Sequence, residues 1–72
     1  MIWERSGEAY YATVTGPDDE VLIRLIVEPH GDLWDWTVWR IEDDHYKARK
    51  GIASTARDAM RDAEASTIDG TI

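Results

Sequence analysis

Two carboxylate triplets, Asp18-Asp19-Glu20 and Glu42-Asp43-Asp44, and two histidines beside acids, His30-x-Asp32 and Asp43-Asp44-His45, are the residues whose types and spacing could do chemistry. Paired carboxylates can divide general acid and base work, but only in a concave site that strips water from one of them. A small sheet with one helix offers little concavity. A divalent metal wants three or four convergent ligands held by hydrogen-bonded neighbours, and neither histidine cluster supplies that set. Ser6, Ser54 and Ser66 are available as nucleophiles, yet none stands in a G-x-S-x-G elbow, and no Gly-rich phosphate loop is present. The residue set calls for no catalytic residue, no metal and no cofactor. The expectation is a protein that is not an enzyme.

Charge points instead to association. Eight Lys and Arg stand against fifteen Asp and Glu, a net charge of -7 over 72 residues. That balance argues against direct binding to a nucleic-acid backbone or an anionic membrane, and in favour of a basic protein partner. The first residues, Met1-Ile2-Trp3-Glu4-Arg5, lack the basic and apolar regions of a leader, and the longest apolar stretch is broken at Arg24. A soluble, cytoplasmic protein is expected. Its length fits one domain, 1–72, near the lower limit for a single unstapled core. With no cysteine and no Phe, four Trp and three Tyr are expected to carry much of the burial.

The elements that must position these residues follow from alternation. Glu8 to Thr15 alternates and ends at Gly16-Pro17-Asp18-Asp19, a turn. Glu20 to Glu28 puts Val21, Ile23, Leu25 and Val27 on one face and Leu22, Arg24, Ile26 and Glu28 on the other. Pro29-His30-Gly31-Asp32 reads as the next turn, and Leu33 to Ile41 as a third strand. His45 to Lys50 reads as a short fourth. Beyond Gly51 the period changes: Ala56, Ala59, Met60 and Ala63 recur at helical spacing, with Ser54 or Thr55 as the cap, predicting a helix over about 55–65. The tail from Ser66 to Ile72 is expected to fray or to be partly pinned by Ile68. The fold class is α+β, a three- to four-stranded antiparallel meander with one C-terminal helix packed on one face.

In a meander, alternate turns share one end of the sheet, so Asp18, Asp19, Glu20, Glu42, Asp43 and Asp44 are expected to form a single negative edge. It would steer a basic groove; the competing reading is a solvated edge that keeps the sheet soluble and prevents edge pairing. One helix covers only one face, assigned Tyr10, Ala12, Val14, Ile23, Leu25, Val27, Trp34, Trp36 and Val38. Tyr11, Leu22, Ile26, Trp39 and Ile41 then lie on an apolar reverse face, open to a partner or a second copy unless Trp3 and the N-terminal arm, or the tail, fold over it. Lys47-Ala48-Arg49-Lys50 is the only basic cluster and lies beside the second acidic triplet, which it is expected to neutralise.

The W-x-W-x-V strand at Trp34 to Val38 and the K-G-x-A-S-T-A-x-x-A-M segment at Lys50 to Met60 resemble the short β-β-β-α proteins encoded by bacteria and their phages. In size and acidity the chain is similar to phage anti-CRISPR proteins. That resemblance implies a nucleic-acid mimic that blocks a basic effector surface. The strand order also resembles antitoxin domains of HicB type, although the proline-bearing strand end before a G-x-T helix start is not evident here. The sequence therefore frames two expectations: an acidic inhibitor of a nucleic-acid-binding effector, and a homo-oligomeric structural or antitoxin-like module joined through the open sheet face.

Overall fold

Alternation along the chain produces five strands rather than three or four: β1 (Glu4–Ser6), β2 (Ala9–Thr15), β3 (Val21–His30), β4 (Leu33–Glu42) and β5 (His45–Ala53), followed by α1 (Ala56–Ile68). The computed structural model describes residues 2–42 and 45–68, with the backbone alone for 41, 42, 45–47 and 68. The strands form one antiparallel meander in the order β1-β2-β3-β4-β5. The α+β class with one C-terminal helix stands, and the strand number is corrected upward.

Turn chemistry accounts for the difference. Ser6 pairs with Ala9 and His30 with Leu33, leaving two-residue loops in which Gly7 (φ 64°) and Gly31 (φ 62°) hold the first central position. A glycine adopts that conformation without Cβ strain, and its twist matches that of the flanking strands. The Gly7 turn therefore folds Glu4–Ser6 back as an edge strand although its residues carry no apolar pattern. At the second turn, Pro29 and His30 stay in β3, paired with Trp34 and Leu33. His30 and Leu33 flank the turn and exchange ladder hydrogen bonds, so the next pair, Pro29 and Trp34, does not need a proline N–H. On its other side Pro29 lies beyond the last β2–β3 pair, Tyr10 with Val27.

Five residues, 16–20, connect β2 to β3. Asp19 N–H donates to the Gly16 carbonyl at 3.1 Å, Gly16 N–H donates to the Glu20 carbonyl at 2.8 Å, and Asp19 is left-handed at φ 61°. Pro17 sits at the position its fixed φ favours, and Asp tolerates the left-handed region better than most residues.

Helix α1 starts where the cap predicts. Asp58 N–H donates to Thr55 Oγ1 at 3.1 Å, and Ala59 N–H donates to the Thr55 carbonyl at 3.0 Å. It runs past Ala65 because Ser66 extends the inward stripe: Ala59 and Ala63 are fully buried and Ser66 is 5% exposed. The expected fraying from Ser66 is thus replaced by helix as far as Ile68, and the rest of that tail, 69–72, lies outside the described residues.

Packing is centred on one row of the sheet. Ala12, Leu25 and Val38 pair directly across β2, β3 and β4, and Ala63 of α1 closes over them. The helix approaches β3, β4 and β5 but neither β1 nor β2. Trp3 fills that gap: it packs against the core, and its Nε1–H donates to Glu64 Oε1 of α1 at 3.3 Å. The largest fully buried side chains are Leu25, Val27 and Val38, each worth about 1.5–3 kcal/mol of burial. All four tryptophans are instead half-buried, since a rigid indole fits the margin of so thin a core better than its centre. Trp36 lies over Gly51, its cross-strand partner on β5.

Candidate binding surfaces

Register places the two acidic hairpin ends at one end of the sheet. Thr15 pairs with Val21 around the first, Glu42 with His45 around the second, and Ile23 with Arg40 between them. Asp18, Asp19 and Glu20 are all exposed on the first loop. Glu42 ends β4, while Asp43 and Asp44, with the side chain of Glu42, lie outside the described residues. Gly16 keeps this loop tight: a Cβ there would meet Glu20 and Leu22 Cδ1 at 3.3 Å. Leu22, 37% exposed, thus sits at the boundary between the acidic loop and the reverse face.

The reverse face carries the side chains opposite the core row. Tyr11, Ile26, Thr37 and Lys50 pair across β2 to β5, and Thr13, Arg24, Trp39 and Ala48 pair one repeat away. Tyr11 is 39% exposed; Ile26 and Trp39 are half-buried. Ile41 holds a reverse-face register position opposite Tyr46, and its side chain lies outside the described residues. Ile52, 60% exposed, joins this face and escaped the sequence reading because β5 was expected to stop at Lys50. Continuing the alternation two residues beyond Lys50 would have found it.

The expected apolar face is in fact amphipathic. Glu4, Arg24, Glu28, Asp35 and Lys50 interrupt it: Arg24, Glu28 and Asp35 come from β3 and β4 themselves, and β1 and β5 add Glu4 and Lys50. Glu4 faces Tyr11 directly, and hydrogen bonding to its carboxylate, then its negative charge, push the Tyr11 phenol above the usual range. Glu28 stands opposite Asp35, and His30 Nδ1 lies 3.4 Å from Asp35 Oδ2. Both partners are well exposed, so the pair contributes at most about 1 kcal/mol.

The N-terminal arm does not cover this surface, because Trp3 is committed to the helix side. Of that arm, Ile2, 83% exposed, borders the face beside Glu4, Tyr11 and Thr13. Among the described residues, one half-open groove between β2 and β3 is lined by Tyr11, Ala12, Thr13, Arg24, Leu25 and Ile26. His30 and His45 fall at opposite ends of the sheet, and no cluster of three acidic or histidine ligands occurs among the described residues. Lys47 and Arg49 occupy helix-side register positions opposite Arg40 and Val38. No helix among the described residues is long and apolar enough to cross a membrane.

These features define a class: an α+β domain whose single helix covers one face of an antiparallel meander and leaves the other uncovered. No protein-family model matches the chain, and comparison with curated proteins and with solved structures finds no match.

Proposed function

We propose that this protein is a non-enzymatic, acidic interaction module whose negative rim occupies the basic, nucleic-acid-binding surface of another protein. The observation that supports this reading is that the β2–β3 hairpin end, with exposed Asp18, Asp19 and Glu20, and the β4–β5 hairpin end, at Glu42 and His45, lie at the same end of the sheet. Within roughly one Debye length, about 8 Å at physiological salt, carboxylates held on a fixed backbone act on a groove together rather than singly. Leu22 beside the first acidic loop offers an apolar anchor. Steering by charge sets the association rate more than the affinity, so the anchor matters to the lifetime of the complex. An inhibitor of the kind made by phages and mobile elements would use the rim as an anti-CRISPR protein uses a nucleic-acid mimic.

Capture from the lysate of the organism that carries the gene tests the proposal, with the native chain and an Asp18→Lys, Asp19→Lys, Asp43→Lys, Asp44→Lys variant as parallel baits. Nucleic-acid-binding proteins should be retained by the native bait at low salt, released by high salt or free DNA, and absent from the variant. Identical retention by both baits, or no displacement by DNA, rejects it.

A further inference from the structure

We infer that the open face seats a second copy of this chain, antiparallel to the first about a two-fold axis through Ile26. On the reverse side β3 presents, in order, Leu22, Arg24, Ile26, Glu28 and His30. Arg24 and Glu28 each lie one side-chain repeat, about 6.8 Å, from Ile26. An axis lying between the two faces and perpendicular to the strands sets Ile26 on Ile26 and each Arg24 on Glu28 of the other copy. An axis along the strands would stack Arg24 on Arg24 and Glu28 on Glu28. The charge order of the central strand therefore selects one arrangement, and an isologous contact requires that self-complementarity.

Three further observations fit a second copy. Neither Arg24 nor Glu28 forms an ion pair among the described residues, so both charges are available, and covering them unpaired would cost several kcal/mol by the usual order of magnitude. The antiparallel arrangement also sends the two acidic rims to opposite poles, away from each other's negative charge; the alternative axis would set them side by side. Finally, five strands about 4.8 Å apart and about eight residues long give a face of roughly 600 Å² in projection. That is the order of the roughly 800 Å² per partner buried in a stable interface. Tyr11, Trp39 and Ile52 supply apolar area around the axis. Glu4 and Lys50 share the cross-strand row of Ile26 and so each meets its own copy across the axis, but on the outer strands, about 10 Å from Ile26, in the solvated rim where charge pairs matter little.

Sedimentation equilibrium over a wide concentration range tests the inference, independently of the acidic rim. The native chain should dimerise. Arg24→Glu alone and Glu28→Arg alone should each weaken the dimer about 100-fold, while the two combined restore it to within about 10-fold. A native chain that stays monomeric, or a combined variant no better than its parents, overturns the proposal. Because the chain has no cysteine, a second measurement is direct. Ile26→Cys should be joined efficiently by a short bis-maleimide, and Ile52→Cys, which does not meet itself across the axis, should not. The reverse pattern, or equal joining, also overturns it.

Discussion

The indole of Trp36 lies directly over Gly51, its antiparallel partner across β4 and β5, so closely that a Cβ on residue 51 would fall inside the contact radius of Trp36 Cε2, Cζ2 and Nε1. A missing side chain on one strand thus makes the seat for a large one on the next. Gly51→Ala should destabilise the domain by about 1–3 kcal/mol, because overpacking outweighs the roughly 0.5–1 kcal/mol that alanine gains over glycine in a strand. Urea unfolding followed by tryptophan fluorescence reads the effect. A midpoint at or above that of the native chain would show that Trp36 yields at no cost.

Leu25 sits in the middle of the core row with no exposure, between Ala12 and Val38 and beneath Ala63. Leu25→Ala should cost about 2–5 kcal/mol, a large share of what a small domain has, and leave the chain unfolded or nearly so at ambient temperature. Exposed Leu22→Ala should cost less than about 1 kcal/mol. Comparable losses at the two positions, measured by circular dichroism and urea titration, would contradict the assignment of the sheet faces.

Much of this arrangement is legible in the sequence, and what is not has identifiable causes. β3 declares itself because Val21 to Val27 is a short β-branched and aliphatic run apolar on both faces, β4 because Trp34 to Val38 keeps a strict period of two, and α1 because Ala59 and Ala63 keep a helical one. β1 is invisible to such reasoning: Glu4, Arg5 and Ser6 are exposed, and it is the Gly7 turn that recruits them to pair with Ala9 to Tyr11. The end of β5 is hidden by Gly51, which reads as a breaker although the strand runs through it to Ala53 under the cover of Trp36. The faces of β2 to β4 follow from alternation, but the side taken by Trp3 depends on a gap beside α1 that no local pattern encodes. The charges that divide the reverse face were each readable; their pairing needed the register.

Asp19 holds a left-handed conformation at φ 61° in the acidic loop. Asp19→Gly should raise stability by a few tenths to about 1 kcal/mol, the relief of Cβ strain less the entropy of glycine. Asp19→Asn should leave stability nearly unchanged, since Asn tolerates the same region, while removing one charge from the rim. The pair separates folding from function: equal stability gains from both, in thermal unfolding, would show that charge repulsion rather than backbone strain is being relieved.

Tyr11 should titrate above a free tyrosine because the Glu4 carboxylate across the ladder favours the protonated phenol. A group whose pKa rises on folding contributes stability below its unfolded pKa and loses it as pH climbs through the folded value. The contribution from Tyr11 is thus intact at neutral pH and lost only in alkali. Glu4→Gln should lower the Tyr11 midpoint, read by ultraviolet absorbance with Tyr10→Phe and Tyr46→Phe backgrounds to isolate the signal. An unmoved midpoint would remove Glu4 as the cause.

Thr55→Ala should cost about 1 kcal/mol through loss of the acceptor for Asp58 N–H, and Thr55→Ser should restore most of it. A lowered urea midpoint with an unchanged slope is the expected signature. Equal loss with serine would point to the methyl group rather than the cap.

The lateral borders of the sheet bear on how such a chain avoids polymerising. β1 is three residues long and wholly polar, and the β5 border carries exposed Arg49 on the helix side and exposed Lys50 on the opposite face. Growth by adding strand to strand, the route to fibres, meets a stub on one side and positive charge on the other.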